Sequence, residues 1–155
     1  MTTTIEQRMQ SPVYVVPEAM EALYALSASA RKAGIRRETA LFVELRASQI
    51  NGCSFCVDMH SRELKEMGVS DERIWSVGAW REAPYYTDAE RAALALTEAL
   101  TRLADKEEPV PDAIWDAAAE HFDEEQLGAL VLSIAQINVW NRLNVATRQV
   151  AGQEW

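Results

Sequence analysis

The most informative part of the chain is residues 44–68, which read ELRASQINGCSFCVDMHSRELKEMG. The Asn51-Gly52 pair favours a turn, and the residues on both sides of it have helical composition. After the turn, the residues that recur at spacings of three and four are Cys53, Cys56, Val57, His60, Leu64 and Met67. This periodicity predicts a helix over 53–67 that ends at Gly68. The stretch therefore predicts two helices joined by a tight turn.

Composition and periodicity predict further helices along the rest of the chain. They cover residues 17–33, 36–50, 71–80, 87–104, a segment starting at 112, and 123–150. Capping boxes are predicted at Thr87–Glu90 and Asp123–Gln126, and Ser70 is placed to cap the short helix that follows it. Residues 1–16 read as an extended lead-in, and no stretch alternates with a period of two. The sequence predicts an all-α bundle of six to eight helices.

Composition narrows the class of protein. The chain has 155 residues, 48% hydrophobic and 25% charged, which predicts one globular domain over 1–155 with its core at about 17–150. A net charge of −9 would repel phosphate backbones, so no nucleic-acid partner is expected. No apolar run approaches the roughly 18 residues that cross a bilayer, so no membrane partner is expected either. The N-terminus has no apolar signal core, which predicts a cytoplasmic protein whose thiols are kept reduced.

Both cysteines and one of the two histidines lie within residues 53–60. A helix turns about 100° per residue, so Cys56 and His60 lie about 60° and about 20° to the same side of Cys53. Cys56 and His60 are also four residues apart, where helical side chains can meet. A thiol in the first turn, where Cys53 is predicted, or beside an imidazole loses its proton more easily. A second thiol can then close a disulfide while His60 transfers protons, which predicts thiol redox chemistry without a metal or an organic cofactor.

Other interpretations of these residues stay open. Buried cysteines are common in protein cores, so the pair could be structural and inert. Zinc would find two thiolates and one imidazole, one ligand short of the usual four. The second histidine, His121, lies far along the chain, where it reads as a polar residue at a helix end. A thioredoxin fold needs a βαβ context, and no predicted strand precedes Cys53.

The stretch 44–68 resembles the core of the alkyl hydroperoxidase D (AhpD)-like proteins of the carboxymuconolactone decarboxylase superfamily. The resemblance continues through WREAPYYTDAERAALALTEALTRL at 80–103 and INVWNRLNVATRQVAG at 137–152, so that it covers most of residues 36–152. It implies an all-α fold and an obligate homo-oligomer, commonly a trimer or hexamer, with a dimer as the smaller alternative. It also implies hydroperoxide reduction through the cysteine pair, regenerated by a lipoyl-type protein or another dithiol such as a thioredoxin-like protein, with a peroxiredoxin as a further partner.

The resemblance also implies a role for each site residue. Cys56 would be the thiolate that attacks peroxide, Cys53 the resolving and exchange partner, and His60 the proton relay. The family relay often includes a glutamate at the position of Leu41 in this chain. Glu44, one helical turn later, is the candidate that could reach His60, although a surface salt bridge explains it equally well.

Several residues and two other functions remain as alternatives. The residues that could complete the relay are Gln49, Asn138, Asn141 and Asn144, with Trp140, although asparagines in this pattern more often cap or bridge helices. Between the cysteines this chain has Ser54 and Phe55, where some members have a tyrosine or another polar side chain. The alternative activity is a carboxymuconolactone decarboxylase-type lyase, which transfers protons without redox thiols. The alternative outside enzymology is a helical assembly protein with an inert CxxC.

Overall fold

The computed structural model describes residues 4–104 and 106–153. Within these residues the chain forms eight α-helices, one 3-10 turn and no strand, which confirms the predicted all-α bundle of six to eight helices. The helices are α1 Pro12–Val15, α2 Ala19–Arg31, α3 Arg37–Asn51, α4 Ser54–Glu66, α5 Asp71–Ser76, α6 Asp88–Thr101, α7 Asp112–Ala119 and α8 Glu124–Thr147. In the described part of the chain, none of them is both long and apolar enough to cross a membrane. The first three residues of the predicted lead-in lie outside the described residues, and the domain boundaries stay a prediction.

Helix α3 lies at the centre of the bundle, where it packs against α4, α6 and α8. Its buried residues are Thr39, Leu41, Phe42, Val43, Leu45, Ala47 and Ser48. Leu41, Phe42 and Leu45 belong to an apolar cluster shared with α4, α5 and α6, whereas Val43 belongs to a second cluster shared with α6 and α8. A helix that is apolar on several sides is a core helix, so α3 is a fixed platform for the elements around it.

Both predicted capping boxes are present. Thr87 accepts a hydrogen bond from the backbone N–H of Glu90, and the Glu90 side chain accepts one from the N–H of Thr87. Asp123–Gln126 forms the same reciprocal pair at the start of α8. The predicted end of α8 is late by three residues, because Arg148 adopts a left-handed conformation with φ 56° and ends the helix after Thr147.

Other predicted boundaries also need correction. Residues 12–15 of the lead-in form helix α1, which begins with a proline, a residue suited to the first helical position. The helix predicted over 71–80 is divided, since α5 gives way to the 3-10 turn Val77–Ala79. Ser70 does occupy the position before α5, but its side chain makes no capping hydrogen bond. Helix α6 ends at Thr101 rather than near 104.

The turn between α3 and α4 fixes where the cysteines stand. Gly52 has φ 68°, a left-handed conformation that glycine adopts without a steric penalty. The backbone N–H of Gly52 donates to the carbonyl of Gln49, and the N–H of Cys53 donates to the carbonyl of Ser48 at 3.0 Å. These bonds close α3, so the chain reverses and α4 starts immediately after Cys53.

Helix α2 packs on α8 but is held by little buried surface. Ala30 is its buried residue, while Tyr24 is 56% exposed. A hydrogen bond also joins the two helices, since Gln136 Nε2 on α8 donates to the carbonyl of Leu23 at 2.6 Å. Helix α2 is therefore the most weakly buried long helix next to the cysteines.

Candidate active site

The two cysteines are joined at the start of α4. Cys53 is the residue immediately before the helix, and Cys56 lies in its first turn. They form a disulfide with their Cα atoms 5.4 Å apart, and both are buried, with exposures of 2% and 0%. The Cys53 sulfur also accepts a hydrogen bond from the backbone N–H of Cys56 at 3.3 Å. The prediction that Cys53 stands inside the first turn is therefore wrong by one position, and its sulfur caps the helix instead.

His60 lies one helical turn after Cys56, buried beside two carboxylates. Its Nδ1 is 2.9 Å from Oε2 of Glu63 and 3.5 Å from Oε2 of Glu44. A carboxylate only accepts hydrogen bonds, so Nδ1 carries the ring hydrogen and Nε2 keeps its lone pair when the ring is neutral. Among the described residues, this buried Nε2 has no hydrogen-bond partner. His60 is therefore a base with one unused, buried lone pair.

Arg37, the first residue of α3, connects the two carboxylates. Its guanidinium nitrogens lie 3.3 Å from Oε2 of Glu44 and 3.3 Å from Oε1 of Glu63. The pKa of Glu63 is lowered, first by the hydrogen bond from His60 and then by the charges of His60 and Arg37, which together outweigh the effect of burial. Glu63 is therefore ionised at neutral pH and would stabilise a protonated imidazole.

Asn144 of α8 contacts one of the two cysteines. Its Nδ2 donates a hydrogen bond to the Cys56 sulfur at 3.3 Å. The other two asparagines of the series bind the α3–α4 turn instead: Asn138 and Asn141 both accept from Nδ2 of Asn51. Of the three asparagines considered from the sequence, one therefore contacts the Cys56 sulfur and two bridge helices.

A pocket of about 320 Å³ opens next to these groups. Its wall includes Cys56, His60, Glu44, Glu63 and Asn144, together with Arg31, Arg37, Met59, Gln136 and Ile137. Tyr24 of α2 and Trp140 of α8 complete one side, with their ring centroids 6.5 Å apart. The pocket thus combines apolar and aromatic surface with a sulfur, an imidazole and charged groups, which suits a small organic molecule with one polar reactive end.

The structure separates Leu41 from Glu44. Leu41 is 1% exposed and lies in the apolar cluster with Leu64, away from the polar groups of the site. Glu44, one turn later, faces His60 and also bonds Arg37. The position where the family often has a glutamate is therefore part of the core, and the carboxylates beside His60 belong to other residues.

The sequence interpretation missed Glu63, Arg37 and the direct contact of Asn144 with sulfur. Glu63 could have been found, because it lies three residues after His60, where helical side chains meet. Arg37 could not, since its contact with Glu63 depends on how α3 and α4 pack. Gln49, a further relay candidate, accepts a hydrogen bond from Arg46 at 3.3 Å.

The same residues bear on metal binding. Glu44, His60 and Glu63 each offer a ligand atom, and these atoms lie within 4.8 Å of one another. Arg37 already supplies positive charge to both carboxylates, which opposes the binding of a cation there. His121 is exposed just beyond α7 and takes no part in this cluster.

Fold and site together define a class: all-α proteins in which a CxxC pair at a helix start lies beside a histidine on the same helix. The sequence profile of the carboxymuconolactone decarboxylase family matches residues 17–99. The uncharacterised protein YdfG of Bacillus subtilis (strain 168) is 40% identical over 132 residues, which cover 85% of this chain and 88% of that protein. The chain belongs to the carboxymuconolactone decarboxylase family, as an AhpD-like member.

Solved structures give the same assignment. ATU0492 of Agrobacterium tumefaciens, a protein of unknown function described as a candidate antioxidant defence protein AhpD, has a TM-score of 0.87 and 36% identity. That match covers 96% of this chain and all of the other. The debrominase Bmp8 has a TM-score of 0.77 with 22% identity, covering 87% of this chain and 72% of Bmp8, and this likeness shows the shared fold alone.

Proposed function

We propose that this protein is a thiol-dependent peroxidase that reduces hydroperoxides through a dithiol–disulfide cycle of Cys53 and Cys56. The observation that carries the proposal is the position of the disulfide. Cys56 belongs to the wall of a pocket that also contains His60, whose Nε2 lone pair is buried and unused. A nucleophilic sulfur, a base and space for a substrate are thus adjacent, which is what thiol redox catalysis requires.

In the first step, the reduced Cys56 thiol gives its proton to His60. The thiolate attacks the terminal oxygen of a hydroperoxide ROOH, the O–O bond breaks, and the sulfur becomes a sulfenic acid. The leaving alkoxide takes the proton back from His60 and departs as the alcohol ROH. The carboxyl groups of Glu63 and Glu44 beside Nδ1 would stabilise the imidazolium that forms between these two transfers.

In the second step, the Cys53 thiol attacks the sulfenic sulfur of Cys56. The disulfide forms and one water molecule leaves, which accounts for the two electrons taken by the peroxide. An external dithiol then reduces the disulfide and is itself oxidised to a disulfide. The proposed reductant is a lipoyl-type or thioredoxin-like protein, and a peroxiredoxin is proposed as a further partner. Such a cycle needs a pool of reducing thiols, so the proposal includes a cytoplasmic setting.

The relatives support an antioxidant role in general terms. The description of ATU0492 concerns antioxidant defence, and that protein is similar over its whole length. A lyase would not need the cysteines, and an inert cysteine pair would leave the pocket beside Cys56 without a function. The peroxidase proposal uses both features.

We also propose that the protein is a homo-oligomer, a trimer or hexamer, with a dimer as the smaller alternative. Helix α8 presents large apolar side chains to the surface, with Leu132 and Val139 each 41% and Val145 47% exposed. Leu103, beyond the end of α6, is 52% exposed. Apolar surface of this kind is commonly covered by a second subunit.

The test is peroxide consumption by the reduced protein with dihydrolipoamide, dithiothreitol or thioredoxin as the reductant. Peroxide should convert both thiols of the wild-type protein to one intramolecular disulfide. Cys56→Ser should abolish turnover, whereas Cys53→Ser should give one burst of sulfenic acid and then stop or over-oxidise. Two free thiols remaining after peroxide treatment would contradict the proposal.

Three further results would point to other interpretations. If Cys53→Ser cannot form sulfenic acid while Cys56→Ser can, the roles of the two cysteines are reversed. An inert structural pair would react slowly with alkylating reagents in the reduced, folded protein. A lyase would keep its activity in both serine variants.

A further inference from the structure

We infer that Asn144 is a catalytic residue, whose Nδ2 holds the Cys56 thiolate and whose Oδ1 receives the O–H group of the hydroperoxide. The inference rests on the proposed peroxidase function and adds a specific group to it. It comes from the two ends of one buried amide, of which one contacts the sulfur and the other has no partner.

The donor end of the Asn144 amide contacts the sulfur of Cys56. Asn144 is 2% exposed, and its Nδ2 lies 3.3 Å from the Cys56 sulfur. A donor at this position stabilises a thiolate more than a neutral sulfur, because hydrogen bonds to charged groups are stronger. The site has no arginine or lysine contact to this sulfur among its described hydrogen bonds, so the amide is the side-chain donor that the thiolate would use.

Hydrogen bonds made by Asn141, one helical turn earlier on α8, fix the position of Asn144. Asn141, three residues earlier on α8, donates to the Ser48 hydroxyl at 2.9 Å and accepts from Asn51 at 2.8 Å. Both partners lie at the end of α3, immediately before the turn that leads to Cys53. These buried bonds hold α8 against the turn, so the Asn144 amide is presented to the sulfur by a rigid support.

The acceptor end of the same amide is the oxygen Oδ1. Oδ1 of Asn144 is buried and has no hydrogen-bond partner among the described residues. An orphaned buried amide oxygen is costly, so it indicates a site for a donor that arrives with a ligand. Asn144 belongs to the wall of the same pocket as Cys56, and a hydroperoxide carries one such donor, the O–H of its terminal oxygen.

Nδ2 and Oδ1 of Asn144 would then both act in the attack of the thiolate on the hydroperoxide. The terminal oxygen of ROOH is the atom that the thiolate attacks, and its hydrogen would be held by Oδ1 while Nδ2 holds the sulfur. Attack forms the S–O bond and breaks the O–O bond, and the hydrogen stays on the oxygen that becomes Cys56–SOH. The alkoxide RO⁻ receives its proton from His60. The amide therefore aligns nucleophile and electrophile without gaining or losing a proton.

The first experiment measures the pH dependence of Cys56 alkylation in the reduced protein, resolved from Cys53 by peptide mass spectrometry. Asn144→Ala should raise the pKa of the Cys56 thiol by about one unit, a tenfold loss of thiolate at neutral pH. Asn144→Asp should raise it further, because it replaces a donor by a negative charge. The control is Thr97→Val, which removes a buried hydroxyl group of α6 that donates to the carbonyl of Ala93 and lies outside the pocket. It should lower the melting temperature and leave the alkylation profile unchanged.

The second experiment isolates the acceptor end. At a pH well above the Cys56 pKa of every variant, the thiolate is fully formed, so differences in kcat/KM for tert-butyl hydroperoxide no longer reflect ionisation. Asn144→Ala should remain about tenfold slower than the wild type under these conditions, since it cannot orient the peroxide. Equal rates would overturn the role of Oδ1, and an unchanged alkylation profile in both Asn144 variants would overturn the role of Nδ2. If the wild-type protein consumes no peroxide, the proposed function and the role of Oδ1 both fail, while the alkylation profiles still decide the sulfur contact.

Discussion

Replacing Leu41 by glutamate would return a carboxylate to the position where the family often has one, and the structure predicts that it would damage the protein. Leu41 is 1% exposed among apolar side chains that include Leu64. A buried carboxyl group there must be protonated, which at pH 7 costs roughly 3.7 kcal/mol for a group with a normal pKa of about 4.3. Its unpaired polar atoms add about 1–3 kcal/mol. The sum, roughly 5–7 kcal/mol, is a large part of the stability of a typical domain.

The assay is thermal unfolding followed by circular dichroism, with peroxide turnover measured on the same samples. Leu41→Glu should lower the melting temperature by about 10 °C or more, given about 2–4 °C per kcal/mol for a domain of this size. Leu41→Met is the matched control, because it keeps the volume and should cost less than about 1.5 kcal/mol. The loss of stability caused by Leu41→Glu should grow as pH rises above about 4.3, because the new carboxyl group ionises in the unfolded chain and stays protonated in the folded one.

A Leu41→Glu protein with the melting temperature of the wild type would refute this reasoning, and so would a gain in peroxide turnover. Either result would mean that the side chain at position 41 can reach the polar groups around His60, contrary to its place in the core.

Three further predictions concern the charges and the assembly. Glu63→Gln should reduce peroxide turnover by about tenfold, and more than Glu44→Gln does, because Glu63 makes the shorter contact with His60; equal effects in steady-state assays would contradict this ranking. The pKa of Glu98 is lowered, since hydrogen bonds from two arginines and a tryptophan outweigh the effect of its burial. Its contribution to stability is thus complete above its normal pKa of 4.5 and is lost as pH falls below that value. Glu98→Gln should therefore lower the free energy of unfolding, measured with urea at pH 7, by about 2 kcal/mol. The stability of this variant should also decrease less steeply than that of the wild type as the pH falls below 4.5. An equally steep decrease would mean that other groups cause the acid sensitivity. Light scattering at micromolar concentration should report a trimer, hexamer or dimer, and a monomer would contradict the proposed assembly.

The sequence predicted the fold because its signals are local. The two capping boxes and the Asn51-Gly52 turn depend on residues close together in the chain, and each appears as expected. Where a predicted helix end differs from the observed one, a single backbone conformation can be the cause, as with the left-handed Arg148 at the end of α8. Composition does not reveal such a conformation.

The site was predictable only along α4. Cys53, Cys56 and His60 lie within two turns of one helix, so their proximity follows from spacing alone. Arg37 and Asn144 reach the site from α3 and α8, and those contacts depend on how the helices pack. For the same reason, spacing alone could not distinguish Leu41 in the core from Glu44 at the site.

The weak attachment of α2 has a consequence for the motion of the protein. This helix supplies Tyr24 to the pocket, yet its buried surface is small. Its described hydrogen bond to α8 joins the Gln136 side chain to the backbone carbonyl of Leu23. Helices with few buried contacts detach in local opening reactions whose free energy is below that of global unfolding. Amide hydrogens of α2 should therefore exchange with solvent faster than those of α3, and each opening would remove Tyr24 from the wall of the pocket that contains Cys56. In the proposed peroxidase cycle, such openings would give a bulky reducing protein access to the disulfide.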